Sequence, residues 1–296
     1  MRIVIFGAGA MSCLFTARLA PVADVVLIDE WAEGVAAIRE RGIRLEDEGK
    51  LRTVQVEADI LGSRVAPADF GIILVKAWQT EQVSRHVENY LRPGATAVSL
   101  QNGLGNLERL GSRVSPGATF EGATLLGPGH VRAGGSGPTH VVAPEWVVHL
   151  MLEAGFECIR CSQAEAEGLL WGKLAISCGI NALTALLRVP NGRLLENPDA
   201  CDLMVRAACE CAAVACAKGI RLPFMDPAES VREAARRTAH NRSSMFQDIL
   251  RGAPTECDAI NGAVAREGMR VGVPVPVNEA LWRLVRAAVH FSGSGS

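Results

Sequence analysis

Apolar and polar positions change rhythm partway along this chain. Up to about residue 162, short apolar runs alternate with stretches of helical spacing. Residues 2–6 (RIVIF) stop at Gly7, and 11–19 follow with apolar side chains three and four apart, which predicts a strand and then a helix. Residues 25–28 (VVLI) predict a second strand ending at Asp29, and 31–41 a second helix. Segment 43–56 predicts a hairpin around Glu48-Gly49. The runs at 70–75 (FGIILV) and 96–100 read as strands buried on both faces. Strand–helix alternation of this kind argues for a parallel sheet with helices on both faces. Short β runs at 130–132 and 139–142 then predict an antiparallel extension.

From residue 164 onward Ala, Leu, Arg and Glu recur at 3.6-residue spacing, broken at Pro190, Pro198, Pro223 and Pro254. Several helices and little sheet are expected there. The division is an α/β domain over 1–162, an all-α domain over 163–291, and a flexible tail (SGSGS) over 292–296.

Composition narrows the function. Of 296 residues, 49% are hydrophobic, enough for sizeable cores, and the net charge of −2 offers no basic footprint for nucleic acid. The N-terminus lacks a secretory pattern. The uncharged run at 174–187 is shorter than the roughly 20 residues a membrane-spanning helix needs, so no membrane partner is expected. Nine scattered cysteines, among them Cys201, Cys209, Cys211 and Cys216 in helical sequence, fit reduced thiols in the cytoplasm. Cys158 and Cys161 form a CxxC with no second pair, so they are read as packed thiols, and no metal site is expected.

Gly7-Ala8-Gly9-Ala10-Met11-Ser12 directly follows the first strand and opens a helix. In a Rossmann-type dinucleotide-binding domain the first glycine makes the tight turn and the second lets backbone N–H groups approach the pyrophosphate. Ser12 stands where a third glycine is usual, and is small enough for close helix–strand packing. Asp29, 22 residues beyond Gly7, would accept hydrogen bonds from the adenosine ribose and repel a 2′-phosphate. Glu30 and Trp31 supply no arginine for such a phosphate. This chemistry favours NAD(H).

Lys173, Ser177 and Asn181 are spaced by four on one predicted helix, so they share a face. A lysine snorkelling to solvent would fit that spacing. A lysine partnered in the interior would instead suit reduction of a keto group, by donating a proton to its oxygen.

The motifs GAGAM, Lys76-Ala77-Trp78-Gln79, Gln101-Asn102-Gly103-Leu104-Gly105, Trp171-Gly172-Lys173-Leu174-Ala175, Asn181-Ala182-Leu183-Thr184-Ala185, Pro190-Asn191-Gly192, Ser243-Ser244-Met245-Phe246-Gln247-Asp248 and Thr255-Glu256 with Asn261-Gly262 carry a resemblance. Nearly end to end, the chain resembles the ketopantoate reductase (2-dehydropantoate 2-reductase) family. That resemblance implies an all-α C-terminal domain like that of 6-phosphogluconate dehydrogenase, and NADPH-dependent reduction of 2-dehydropantoate to (R)-pantoate on the way to coenzyme A. It implies Lys173 as general acid and Glu256 as the carboxylate placing substrate and lysine. Asn102 and Ser244 would bind substrate near the nicotinamide, Ser177 and Asn181 would line the pocket, and Asn191 belongs to a motif of the same cleft. Gly7, Ala8, Gly9, Ala10, Met11, Ser12, Asp29, Lys76, Asn102 and Glu256 would meet the cofactor, NADP(H) by resemblance.

Three positions depart from the family pattern: Ser12, the Asp29-Glu30 pair, and Ser177 where asparagine is common. A serine lacks the amide's paired donor and acceptor. Reduction of another branched 2-keto acid is therefore an alternative, as are a non-catalytic NAD(P)-binding sensor and a β-hydroxyacid dehydrogenase. The partner is a small 2-keto acid, and a homodimer is one assembly open to the chain. Arg232, Arg236, Arg237 and Arg242 are read as the solvated face of a helix carrying Glu229 and Glu233. Trp78, Trp146 and Trp282 are read as core or interface residues, and His86, His130, His140, His149 and His240 as structural or surface residues.

Overall fold

The computed structural model describes the backbone of residues 1–293 and side chains through Phe291; of the expected tail at 292–296, residues 292 and 293 continue the last helix and 294–296 lie outside the described residues. Two compact units form: residues 1–101 with 106–166, and residues 102–105 with 167 onward. The second unit thus claims a short stretch from inside the expected first domain.

The first unit contains strands β1 (Arg2–Phe6), β2 (Asp24–Asp29), β3 (Ile43–Asp47), β4 (Lys50–Val54), β5 (Glu57–Ile60), β6 (Ala68–Ile73), β7 (Leu91–Ser99), β8 (Val114–Thr119), β9 (Ala123–Gly127), β10 (His130–Ala133), β11 (Thr139–Val141) and β12 (Cys158–Arg160). Its helices are α1 (Ala10–Leu19), α2 (Ala32–Arg41), α3 (Thr80–Ser84), α4 (Leu107–Leu110) and α5 (Glu145–Glu153). The main sheet has the order β12-β11-β8-β7-β6-β1-β2-β5. Its pairs are parallel from β5 to β8, and β11 joins β8 antiparallel. Side chains of β1 alternate between two cores, Ile3 and Ile5 with Phe15 and Phe70, Val4 and Phe6 with Val26 and Tyr90. Covering both faces is what parallel strands require. From β1 the chain runs to β2 and β5 on one side and to β6, β7 and β8 on the other, so the carboxyl ends of β1 and β6 flank a topological switch point.

The expected hairpin is β3–β4, turning through Glu48 (φ 49°) and Gly49 (φ 75°), the left-handed pair that a two-residue connection needs. It forms a second sheet, β4-β3-β10-β9, in which β10 lies parallel to β3. Strands β5, β8, β9 and β12 carry little signal in the sequence. Segment β5 reads EADI and β8 contains Pro116 and Gly117; their neighbours, rather than local propensity, make them strands.

The second unit is helical: most of α6 (Gln163–Leu187), then α7 (Pro198–Ala217), α8 (Pro227–Arg237), α9 (Ser244–Leu250), α10 (Asn261–Val271) and α11 (Pro276–Gly293). Prolines open α7, α8 and α11, where a missing N–H costs nothing. By length and composition α6 could cross a membrane, longer than the uncharged run suggested, but 61% of its apolar window is buried inside the protein. Trp171, Leu174 and Cys178 of α6 pack with Met204 and Cys211 of α7 and Val264 of α10, which makes α6 a core helix.

Candidate functional site

The glycine turn is built by steric necessity. Gly7 has φ +124°, and a Cβ there would lie 2.3 Å from Ser12 Oγ. A Cβ on Gly9 would meet nothing within 4 Å, so the space over the second glycine is open. Helix α1 starts at this point with no side-chain cap and no acidic residue in its first turn. Its leading N–H groups and positive dipole end suit a pyrophosphate. The structure separates the residues expected to meet the cofactor. Gly9 is exposed, Ala10 and Met11 are half-buried, and Ala8 and Ser12 are fully buried. Ala8 spends its N–H on Asp29 Oδ2, and Gly7 donates to the Ile28 carbonyl at 2.8 Å. Ser12 therefore supports the turn by packing, and Ala8 by its bond to Asp29; neither presents a side chain to a ligand.

Asp29 is only 5% exposed. Besides Ala8, the Trp31 N–H donates to its Oδ1 at 2.8 Å, and Gln79 Nε2 approaches the same oxygen at 3.4 Å. Burial pushes its pKa up, against the pull of these backbone donors. The expectation of a carboxylate open to the ribose is thus corrected, because burial closes the side chain to solvent while each oxygen accepts a backbone N–H. The exposed neighbour Glu30 receives Gln79 Nε2 on Oε1 at 3.3 Å. Gln79 is oriented by its other end, where Oε1 accepts the Lys76 N–H at 3.2 Å. Asp29, Glu30, Val75, Gln79 and Gln82 line a narrow crevice. Lys76 itself is half-buried in the turn after β6.

In the second unit, Lys173, Ser177 and Asn181 stand along α6 as half-buried positions beside fully buried Leu174, Cys178 and Ala182. Burial pushes the Lys173 ammonium down from 10.5 to about 8, while the charge of Glu256 pulls it back up. Glu256 is 5% exposed and opens a turn in which its carbonyl accepts the N–H groups of Ala259 and Ile260. Loop 102–105 docks on that turn. Leu104 N–H donates to the Ala259 carbonyl at 2.9 Å, and Gly103 (φ +81°) lies where a Cβ would be 2.4 Å from the same oxygen. This docking gathers Asn102, Lys173 and Glu256 into one unit.

Other expected site residues have different duties. Asn191 is 6% exposed; its Nδ2 donates to Thr238 Oγ1 at 2.9 Å and its N–H to the Asn241 carbonyl at 3.0 Å. It clamps its turn to the end of α8. Ser244 is half-buried at the start of α9. Ser243 caps that helix by accepting the Phe246 N–H, and it also accepts the Thr184 hydroxyl at 2.7 Å. Asn261, quoted above without a role, is fully buried and ties α10 to the Cys178 carbonyl at 3.1 Å and to Asn278 at 3.0 Å. Gly262 leaves room for Trp282, whose ring would lie 2.8 Å from a Cβ there.

Among residues set aside, Trp78 is 49% exposed, not core. Arg242 lies beyond α8, while Arg232, Arg236 and Arg237 pair with Glu229 and Glu233 as a solvated helix face does. His130 bonds Glu46 in the second sheet. Burial raises Cys158 to about 11, which makes its thiol a poor nucleophile. Among the described residues no three His, Cys, Asp or Glu side chains cluster as metal ligands do.

Comparison with known proteins places these features in context. The family model "Ketopantoate reductase PanE/ApbA" matches residues 3–146, and "Ketopantoate reductase PanE/ApbA C terminal" matches 165–289. The chain is 33% identical to the 2-dehydropantoate 2-reductase of Archaeoglobus fulgidus over 294 residues, covering 96% of this chain and 97% of that protein. It is 33% identical to the 2-dehydropantoate 2-reductase of Halobacterium salinarum over 303 residues, covering 97% and 99%. A PanE/ApbA family ketopantoate reductase from Ralstonia eutropha JMP134 superposes with a TM-score of 0.90 at 33% identity, covering 98% of this chain and 99% of that one. D-mandelate dehydrogenase, solved with NADH and anilino(oxo)acetate, superposes with a TM-score of 0.91 at 26% identity, covering 98% of each.

Proposed function

The chain belongs to the ketopantoate reductase PanE/ApbA family, and from that premise we propose that it reduces 2-dehydropantoate to (R)-pantoate, with Lys173 as general acid. The observation that carries this reading is the desolvated Lys173, brought to about 8 beside the buried carboxylate of Glu256. A group with that pKa is mostly protonated at neutral pH and still gives up its proton readily.

Reduced nicotinamide dinucleotide, when bound, supplies the hydride for the 2-keto carbon. The residues fit such a cofactor: the uncapped start of α1 and the open space at Gly9 accept a pyrophosphate, through the N–H groups of Gly9, Ala10 and Met11. Lys173 donates its Nζ proton to the substrate's 2-keto oxygen and stabilises the negative charge developing there. Glu256 keeps that lysine charged. Asn102, Ser177, Asn181 and Ser244 supply amide and hydroxyl groups for the substrate's carboxylate and hydroxyl. The exposed carboxylate of Glu30, with no arginine beside it in sequence, supports NADH over NADPH. The cysteines are free thiols, which suits a reducing cytoplasm.

A second reading, reduction of another branched 2-keto acid, rests on Ser177 and on the likeness to D-mandelate dehydrogenase. The deciding experiment follows nicotinamide absorbance with 2-dehydropantoate and 2-ketoisovalerate, each with NADH and with NADPH. Higher kcat/KM for 2-dehydropantoate is expected. A large preference for the other acid overturns the substrate, and no turnover with any pair overturns the reductase.

A further inference from the structure

We infer that Glu30, held by Gln79, is the residue that distinguishes the two nicotinamide dinucleotides at the adenosine ribose, and that the neighbouring Asp29 is a positioning residue for the glycine turn. The inference rests on the proposed use of such a cofactor. Asp29 stands at the carboxyl end of β2, where a ribose-reading carboxylate is expected. Its chemistry is already committed. Oδ2 accepts the Ala8 N–H within the glycine turn, Oδ1 accepts the Trp31 N–H, and the side chain is almost wholly buried. It works as a staple between β2 and the turn that follows β1.

Glu30 differs in each of these respects. It is exposed, it lines the same crevice, and its carboxylate accepts a hydrogen bond from a side-chain amide, that of Gln79. Gln79 cannot turn away from it at no cost, because its Oε1 is fixed by the Lys76 N–H and only Nε2 is left to face the acids. The Gln79 donor thus aims a solvent-accessible carboxylate at the crevice. Such a group accepts a hydrogen bond from a ribose 2′-hydroxyl and repels a 2′-phosphate. Arg39, on the helix after β2, offers no compensating cation, since it is paired with Asp59 and bonded to the Ala58 carbonyl.

Dissociation constants for NADH and NADPH, read by nicotinamide fluorescence without substrate, test the assignment in wild type, Glu30→Gln and Asp29→Asn. Glu30→Gln is expected to shift the affinity ratio toward NADPH by about tenfold, as removal of a like-charge contact does. Asp29→Asn is expected to weaken both dinucleotides alike and to lower Tm. A Glu30→Gln ratio within about twofold of wild type overturns the inference, as does an Asp29→Asn shift in the ratio with both Tm and overall affinity retained. If wild type binds neither dinucleotide, the proposed function falls as well; if it binds and Glu30 is silent, only this inference falls.

Discussion

The carboxylate of Glu256 acts on Lys173 against the effect of burial: desolvation drives the ammonium down to about 8, and the negative charge keeps it from falling further. Both residues lie in the helical unit, far apart in sequence, and the turn carrying Glu256 also receives loop 102–105. The charge that tunes Lys173 and the docking of loop 102–105 are therefore tied to one turn.

The first prediction concerns pH. If Lys173 delivers the proton, kcat falls as pH rises through about 8, where the ammonium is lost. Glu256→Gln removes the charge that raises this pKa, so the falling limb moves to lower pH. A wild-type pH–rate profile still flat at about pH 10 would exclude Lys173 as the acid.

Replacing the lysine separates catalysis from stability. Lys173→Met should lower kcat by about two to four orders of magnitude. It should also raise Tm at neutral pH. The folded pKa, about 8, lies below the ordinary 10.5, so the charged group costs stability below pH 8 and that cost fades as pH rises toward 10.5. Melting curves across that window check the sign: the gain over wild type shrinks with rising pH.

Gly103 and Gly105 make a controlled pair. Both have positive φ, +81° and +86°, but only at Gly103 would a Cβ strike the Ala259 carbonyl; at Gly105 it meets nothing within 4 Å. Gly103→Ala should cost about 1–3 kcal/mol beyond Gly105→Ala and lower kcat/KM by moving Asn102. Equal effects in urea melts of the two variants would mean that the docking is not tight.

Asn191 and Thr238 should behave as one unit. A double-mutant cycle of Asn191→Ala and Thr238→Val should return a coupling of about 1 kcal/mol in stability, the worth of their shared hydrogen bond. A change in KM for the keto acid without loss of stability would return Asn191 to the substrate pocket.

Ser177 stands one helical turn from Lys173 on α6. Ser177→Asn should raise kcat/KM for 2-dehydropantoate relative to 2-ketoisovalerate, because an amide can pair with a hydroxyl that the smaller acid lacks. An unchanged ratio in parallel assays would remove Ser177 from substrate selection.

Much of the molecule is legible in its order of residues. Strand β1, the glycine turn, α1, β2, the β3–β4 hairpin and the row Lys173–Ser177–Asn181 follow from patterns that repeat within one turn or one strand, where burial and backbone sterics act locally. The family motifs single out Glu256 and Asn102, which no local pattern announces. What only the tertiary structure decided is which polar groups are already spent. Asp29 looks free in sequence, and its oxygens are occupied by Ala8 and Trp31. Asn191 looks like pocket lining, and its Nδ2 donates to Thr238, 47 residues away. Loop 102–105 follows a strand of the first unit, yet it bonds to Ala259 in the second. A side chain's donor and acceptor capacity is encoded in its identity. Its partners are chosen by packing between segments distant in the chain, and at Asp29, Asn191 and Gly103 that choice separates a group free for a ligand from one holding the fold.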